Sequence, residues 1–304
     1  MQKIILTVTD EAVRLEKFIA KACPAVLYAQ LRRALRKKDV RVDGKRISEN
    51  VTLTAGQTVT LFLPDAERAP APLFSGERFL IVHKPQGLPV QSSREDEDSL
   101  EKRLRAAVSD AFPAACHRLD AQTAGLVLFA KDAQALEEAK ELFRSHRVTK
   151  HYQAAVRGKP SPASGTLDDY LKKDAARALV RVVPRTVPGA LPAKLQYETL
   201  TGSKTASVVR VRLITGRTHQ IRVQFAHIGH PLLGDDRYGD REWNRACKAR
   251  AQMLWACALE FDRDLPGALS ELSGKRVFAA ADAFHPALPD GLSFQNPESL
   301  LERR

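Results

Sequence analysis

The chain has 304 residues, 44% of them hydrophobic and 28% charged, which is ordinary globular composition and enough length for two domains. The formal charge of +12 makes a polyanion the default partner, although attraction to a membrane surface or mere solubility would give the same sign. No apolar run is long enough to span a bilayer, and the N-terminus Met1–Thr7 lacks the apolar core of a signal peptide. Cys23, Cys116, Cys247 and Cys257 show neither Cys-x-x-Cys spacing nor a histidine pairing that suggests zinc. They read as reduced thiols of a cytoplasmic protein.

Residues 1–64 read as a small separate module. A short strand signal at Leu6–Val8 precedes a helical pattern from Asp10 to Ala20, with Leu15, Phe18 and Ile19 on one face and Asp10 as its cap. A second helix is expected from Tyr28 to Lys38, carrying Leu31 and Leu35 inward. Val40–Ile47 follows as a hairpin turning at Asp43-Gly44. Arg32, Arg33, Arg36, Lys37 and Lys38 crowd the second helix with no acid between them, which favours a phosphate-binding surface over a merely solvated face. Residues 65–73, with alternating proline, read as a stiff linker.

Residues 74–304 read as the second domain. Arg78–Lys84 is a strand running into a Pro/Gly turn, Pro85 to Pro89, and Ser92 to Glu101 is a polar, acidic loop. His117-Arg118-Leu119-Asp120 then lies on a loop that enters an apolar strand, Leu126–Lys131, through Gly125. Taken alone, Asp120 reads as a turn aspartate paired with Arg118. A helix is expected from Ala133 to Ser145, then a strand around Tyr152. Further alternating strands run through Leu167, Leu179–Val183 and Ala193–Leu200, followed by a strong strand at Ser207–Ile214. A helix from Thr218 carries His219, Arg222 and His227 and is closed by Gly229 and Pro231. Leu254–Phe261 is a further strand, and Pro297–Arg304 at most a short helix.

Several of these segments resemble, in order, the motifs of the RluA family of pseudouridine synthases. His117-Arg118-Leu119-Asp120 with Thr123-Ala124-Gly125 resembles its catalytic motif, with Ala124 where serine is usual. His83-Lys84-Pro85-Gln86-Gly87-Leu88 resembles its first motif, with His83 in place of asparagine. Lys150-His151-Tyr152 through Gly158 resembles a second. Gly216-Arg217-Thr218-His219-Gln220-Ile221-Arg222-Val223, continuing to Gly234-Asp235 and Tyr238-Gly239, resembles a third, with Gln224-Phe225 where His-Leu is common. Trp255 stands where the family usually has histidine. Residues 11–63 resemble the alpha-L RNA-binding module of a ribosomal protein.

The resemblance implies an α+β pseudouridine synthase fold: a central, mainly antiparallel mixed sheet flanked by helices, with a small α/β RNA-binding module in front. It implies a cytoplasmic isomerase, read as a monomer, that needs no cofactor, metal or membrane. Its substrate would be structured RNA, with large-subunit ribosomal RNA favoured over transfer RNA. Asp120 would act on the sugar, Tyr152 would stack on the base and handle a proton, and Arg222 would hold Asp120 ionised. His117, Arg118, Thr123, Arg217 and His219 would contact the flipped nucleotide, and Arg32, Arg33, Arg36 and Lys37 the neighbouring phosphates. A catalytically idle RNA-binding protein is the alternative from another class, against which Asp120, Tyr152 and Arg222 occur together. A nuclease would show a metal-binding carboxylate cluster or a histidine pair, which the sequence lacks.

Overall fold

The computed structural model describes residues 2–24, 26–63, 69–94, 97–108, 112–174, 179–280 and 282–302. Residues 65–68 of the expected linker lie outside the described residues. The chain divides into two compact units, Met1–Ala71 with Leu88–Ala115, and Pro72–Gly87 with Cys116–Arg304.

The first unit contains β1 (Gln2–Thr7), β2 (Val13–Arg14), α1 (Leu15–Ala22), α2 (Tyr28–Arg36), β3 (Val40–Val42), β4 (Lys45–Ile47), β5 (Thr52–Leu53) and β6 (Thr58–Leu63). After β7 (Pro72–Ser75) and β8 (Phe79–Lys84), which belong to the other unit, it is completed by α3 (Leu100–Val108) and β9 (Ala114–Ala115). The antiparallel sheet runs β1-β6-β3-β4. Strict alternation on β6 turns Val59, Leu61 and Leu63 inward, against Leu15, Phe18 and Ile19 of α1 and Leu31 and Leu35 of α2. The hairpin turns where expected, with Asp43 and Gly44 both at positive φ.

Helix α1 begins later than its periodicity suggests. Val13 and Arg14 pair with Leu53 and Thr52 as a strand, and Asp10 forms an ion pair with Lys21 instead of capping. Helix α3 occupies residues outside the helices expected from the sequence, and the acidic loop before it is correspondingly shorter. On α2, Arg32, Arg36 and Lys37 are exposed, whereas Arg33 is half-buried 3.8 Å from Asp98, itself held by Arg103 at 2.7 Å.

The second unit continues with β10 (Ala124–Ala130), α4 (Ala133–Arg144), β11 (Val148–Arg157), β12 (Ser164–Asp174), β13 (Leu179–Val183), β14 (Leu191–Gly202), β15 (Ala206–Leu213), α5 (Gln220–His227), α6 (Arg241–Ala246), β16 (Leu254–Phe261), β17 (Arg276–Phe278) and α7 (Pro297–Glu302). Its sheet has the order β13-β12-β14-β15-β11-β16-β10-β8-β7, with β17 beside β16. Every described pairing along this path is antiparallel except β10 with β16. All seven residues of β10 are buried, as suits a central strand covered on both faces. Asp132 caps α4 by accepting from the Ala135 amide, and an ion pair with Arg78 ties that cap to the segment before β8.

The β10–β16 junction sets up the site. Ala124 pairs with Trp255 and Gly125 with Ala256. Gly125 has φ +130°, and a Cβ there would lie 2.2 Å from the Ala256 carbonyl oxygen, so only glycine lets the chain enter β10 this close to β16. Among the described residues no helix is long and apolar enough to cross a membrane.

Candidate active site

Asp120 sits on the loop entering β10, and that loop is fastened through its main chain. The Asp120 carbonyl accepts from the Thr123 amide at 3.0 Å. The Ala121 carbonyl accepts both the Gly87 amide (2.8 Å) and Lys84 Nζ (2.9 Å), and the Gln122 carbonyl accepts Gln86 Nε2 (2.8 Å). Thr123 is buried, and its hydroxyl accepts Gln252 Nε2 at 2.9 Å. These contacts consume backbone groups and leave the Asp120 carboxylate facing the cavity. Lys84 is fully buried; burial pulls its ammonium down to about 7, against the opposing field of Asp120.

The partner of that carboxylate is Arg222, not Arg118. Helix α5 carries Arg222 inward, and Asp235 takes its guanidinium from one side with Nε–Oδ2 at 2.7 Å and Nη2–Oδ1 at 2.8 Å. Asp235 also accepts the amides of Arg237 and Tyr238 at 2.9 and 3.0 Å, so no rotation is left to it. The remaining nitrogen, Nη1, donates to Asp120 Oδ2 at 3.0 Å. Burial opposes the charge on both Arg222 and Asp235, but their mutual pairing outweighs it. Arg222 is thereby held above the usual arginine range, and Asp235 below the usual carboxylate range. Arg118 is exposed.

His219 stands at the start of α5 rather than inside it. Its φ of +55° marks a left-handed residue, and the helix begins at Gln220, two residues later than the sequence pattern suggests. That conformation sets Nδ1 2.8 Å from the Tyr238 hydroxyl and Nε2 3.7 Å from Asp120 Oδ2. The Tyr238 oxygen also accepts the Val180 amide at 2.8 Å, and in the tautomer in which the phenol donates to Nδ1, His219 carries its proton on Nε2, facing Asp120. Burial lowers the His219 pKa, partly offset by Asp120.

These groups line a cavity of about 520 Å³, within the range of ordinary ligand sites. Asp120, Tyr152 and Arg222, which are far apart in sequence, all reach it, as do His117, Arg118, Thr123, Arg217 and His219. Tyr152 is buried, and burial with the field of Asp120 holds its phenol protonated. His117 is committed internally: Nε2 accepts the Leu128 amide at 3.1 Å, and its ring lies 4.5 Å from that of Phe143. Burial, helped by Lys150, pushes its pKa down to about 3. His117 and Thr123 therefore enter the cavity wall as neutral buttresses. Arg217 is exposed, with Nε donating to the Pro192 carbonyl at 3.0 Å. Arg32, Arg33, Arg36 and Lys37 belong to the other unit.

The sequence reading assigned no role to Asp235, Lys84, Lys150 or Gln252. The first three lie inside motifs quoted for other residues, so their types were visible but their partners were not. The departures from the family pattern also resolve into contacts. Trp255 Nε1 donates to His83 Nε2 at 3.1 Å, so the two unusual residues are each other's partner. Burial takes His83 down to about 4, leaving it neutral and able to accept. Gln224 is fully buried and donates to Asp169 (2.7 Å) and to the Ala193 carbonyl (3.1 Å). Among the described residues no cluster of three His, Cys, Asp or Glu side chains could hold a metal.

The RNA pseudouridylate synthase family matches residues 78–227. Ribosomal large subunit pseudouridine synthase C of Salmonella typhimurium is 33% identical over 282 residues, covering 85% of this chain and 88% of that protein. Its namesake in Escherichia coli K12 is 33% identical over 261 residues, covering 80% and 82%. Among solved structures, human RNA Pseudouridylate Synthase Domain Containing 1 has a TM-score of 0.62 at 24% identity, over 80% of this chain and 96% of that one. Human RNA Pseudouridylate Synthase Domain Containing 4 gives 0.53 at 26% identity, over 69% and 87%. The fold is thus that of the pseudouridine synthases, and the chain belongs to the RluA-type RNA pseudouridine synthases, isomerases that act on RNA.

Proposed function

We propose that this enzyme converts uridines of large-subunit ribosomal RNA to pseudouridine, with Asp120 as its catalytic carboxylate. The observation that carries this reading is the Asp120–Arg222–Asp235 chain. A carboxylate at a cavity wall accepts from a guanidinium that a second, fully buried carboxylate locks in place. The substrate class is supported by the relatives of that name, which match 80–85% of this chain.

The reaction breaks the bond between ribose C1′ and uracil N1, turns the base, and joins C1′ to C5; C5 then gives up its proton and N1 takes one up, so the product is an isomer of the substrate. The Asp120 carboxylate can attack C1′ or take the proton from C2′; both routes need the position in which the Arg222 hydrogen bond holds it. Asp235 is the only other carboxylate this close to Arg222 among the buried described residues, and the guanidinium and two amides occupy it. It plays no part as an acid. Tyr152 presents an aromatic face to the base, and its protonated phenol donates a hydrogen bond. The target nucleotide must be flipped out of its helix to enter, and Arg118 and Arg217 at the cavity engage its strand. The first unit acts as an RNA-binding module through Arg32, Arg36 and Lys37 of α2, with Arg33 partly taken up by Asp98.

The test is chemical mapping of pseudouridine on unmodified large-subunit, small-subunit and transfer RNA transcripts incubated with the protein. New stops at defined large-subunit uridines are expected. Stops confined to transfer RNA would overturn the substrate, and tight binding without stops on any RNA would overturn the chemistry.

A further inference from the structure

Lys150 lies two residues before Tyr152 on β11, and the two-residue period of a strand puts both on one face. Both line the cavity. The ammonium of Lys150 is placed closely: Nζ lies 5.6 Å from the centre of the Phe143 ring. On the other side, a Cβ added at Gly216 would come within 3.0 Å of Nζ. The head group is therefore held between α4 and the loop that leads to α5.

Its charge is unbalanced. Asp120 is the single acid of the cavity lining and already faces Arg222. Arg144, also in the lining, pairs with Glu141 on its own helix. Among the described residues no carboxylate lies within ion-pair distance of Lys150. Burial pulls its pKa down to about 8, with no opposing carboxylate among the causes. A half-buried ammonium without a counter-ion costs free energy in the empty protein. Groups perturbed in this way concentrate where a ligand supplies the missing charge. Uracil and ribose are neutral, so the part of an RNA substrate that can supply it is the phosphodiester.

We propose that Lys150 binds a backbone phosphate beside the flipped uridine and so fixes the ribose over Asp120. This rests on the function proposed above. The residue before or after the target supplies the phosphate, the Phe143 ring supports the ammonium from behind, and the absent side chain at Gly216 leaves room for it to approach.

The test uses the full chain with the RNA that the mapping identifies. Wild type, Lys150→Met and Lys150→Arg are compared by thermal melting, by RNA binding between 50 and 200 mM salt, and by steady-state pseudouridine formation. Lys150→Met is expected to weaken binding about tenfold, a typical loss for a charged hydrogen bond. It should raise KM more than it lowers kcat, and flatten the log–log salt slope by about 0.7–0.9, the contribution of one phosphate. Because it removes an unbalanced charge, Lys150→Met should melt no lower than wild type. Lys150→Arg should restore the slope and KM. An unchanged salt slope in Lys150→Met, or a lowered melting temperature with kcat and KM impaired alike, would overturn the proposal and leave Lys150 a packing residue. If wild type forms no pseudouridine on any RNA, the proposed function fails instead, whatever the variants do.

Discussion

Replacing Asp235 with asparagine changes one atom and should unfasten the site. Asparagine Oδ1 can still accept the Arg237 and Tyr238 amides, which are bonded to Asp235 Oδ1 at 2.9 and 3.0 Å. Its Nδ2 then points at Arg222 Nε, setting donor against donor where a 2.7 Å ion pair stood. Asp235 is fully buried and Arg222 only 4% exposed, so water cannot take over. Breaking a buried pair from one side costs about 3–5 kcal/mol. A unit of this size loses roughly 2–4 °C per kcal/mol, so the melting temperature should fall by about 6–20 °C. Turnover should fall with it, because Arg222 loses the anchor that aims Nη1 at Asp120. The control is Asp236→Asn, whose carboxylate is 76% exposed and 3.4 Å from Arg222 Nη2; it should cost less than about 0.5 kcal/mol. Differential scanning calorimetry on the three proteins reads the result. Equal shifts for the two variants would refute the assignment of Asp235 as the anchor of Arg222.

The His83–Trp255 bond should appear as coupling in a double-mutant cycle. His83→Leu leaves the Trp255 N–H unpaired and Trp255→Phe leaves the His83 acceptor unpaired, while the double variant leaves neither, so urea melts should show about 1 kcal/mol of non-additivity; strictly additive costs would show that the contact carries no energy. Lys84 gives a pH signature. Its folded pKa is near 7, whereas an unfolded lysine titrates near 10.4, so over that window the unfolded chain binds more protons and stability should rise with pH. Lys84→Met should flatten that rise, and identical pH–stability profiles for variant and wild type would refute it.

Much of the site was legible because each chemical motif sits at a strand end or helix start, where residue type and spacing are informative. Asp120 lies before an apolar strand, Tyr152 within a strand and Arg222 on a glycine-closed helix, the elements their local sequence suggests. What the pattern could not carry was pairing across the fold. Asp120 lies 102 positions from Arg222, and local reasoning would have matched it with Arg118. The role of Asp235 depends on a bond to a helix 13 residues away, and that of Lys84 on a carbonyl 37 residues away. His83 and Trp255, separated by 172 positions, looked like two independent departures from the family. Helix boundaries slipped for local reasons: a two-residue strand displaced the start of α1, and a left-handed His219 delayed α5.

Asp120 is the group on which the proposed catalysis rests. The decisive measurement compares wild type with Asp120→Ala on one substrate RNA, reading single-turnover pseudouridine formation and binding affinity in the same preparation. The carboxylate accepts from Arg222 but makes no main-chain bond among the described residues, and Arg222 keeps its anchor on Asp235 without it. The variant should therefore fold and bind RNA within about threefold of wild type, under 1 kcal/mol, and form no pseudouridine. Turnover by Asp120→Ala at a rate near that of wild type would contradict the mechanism and move catalysis to another group in the cavity.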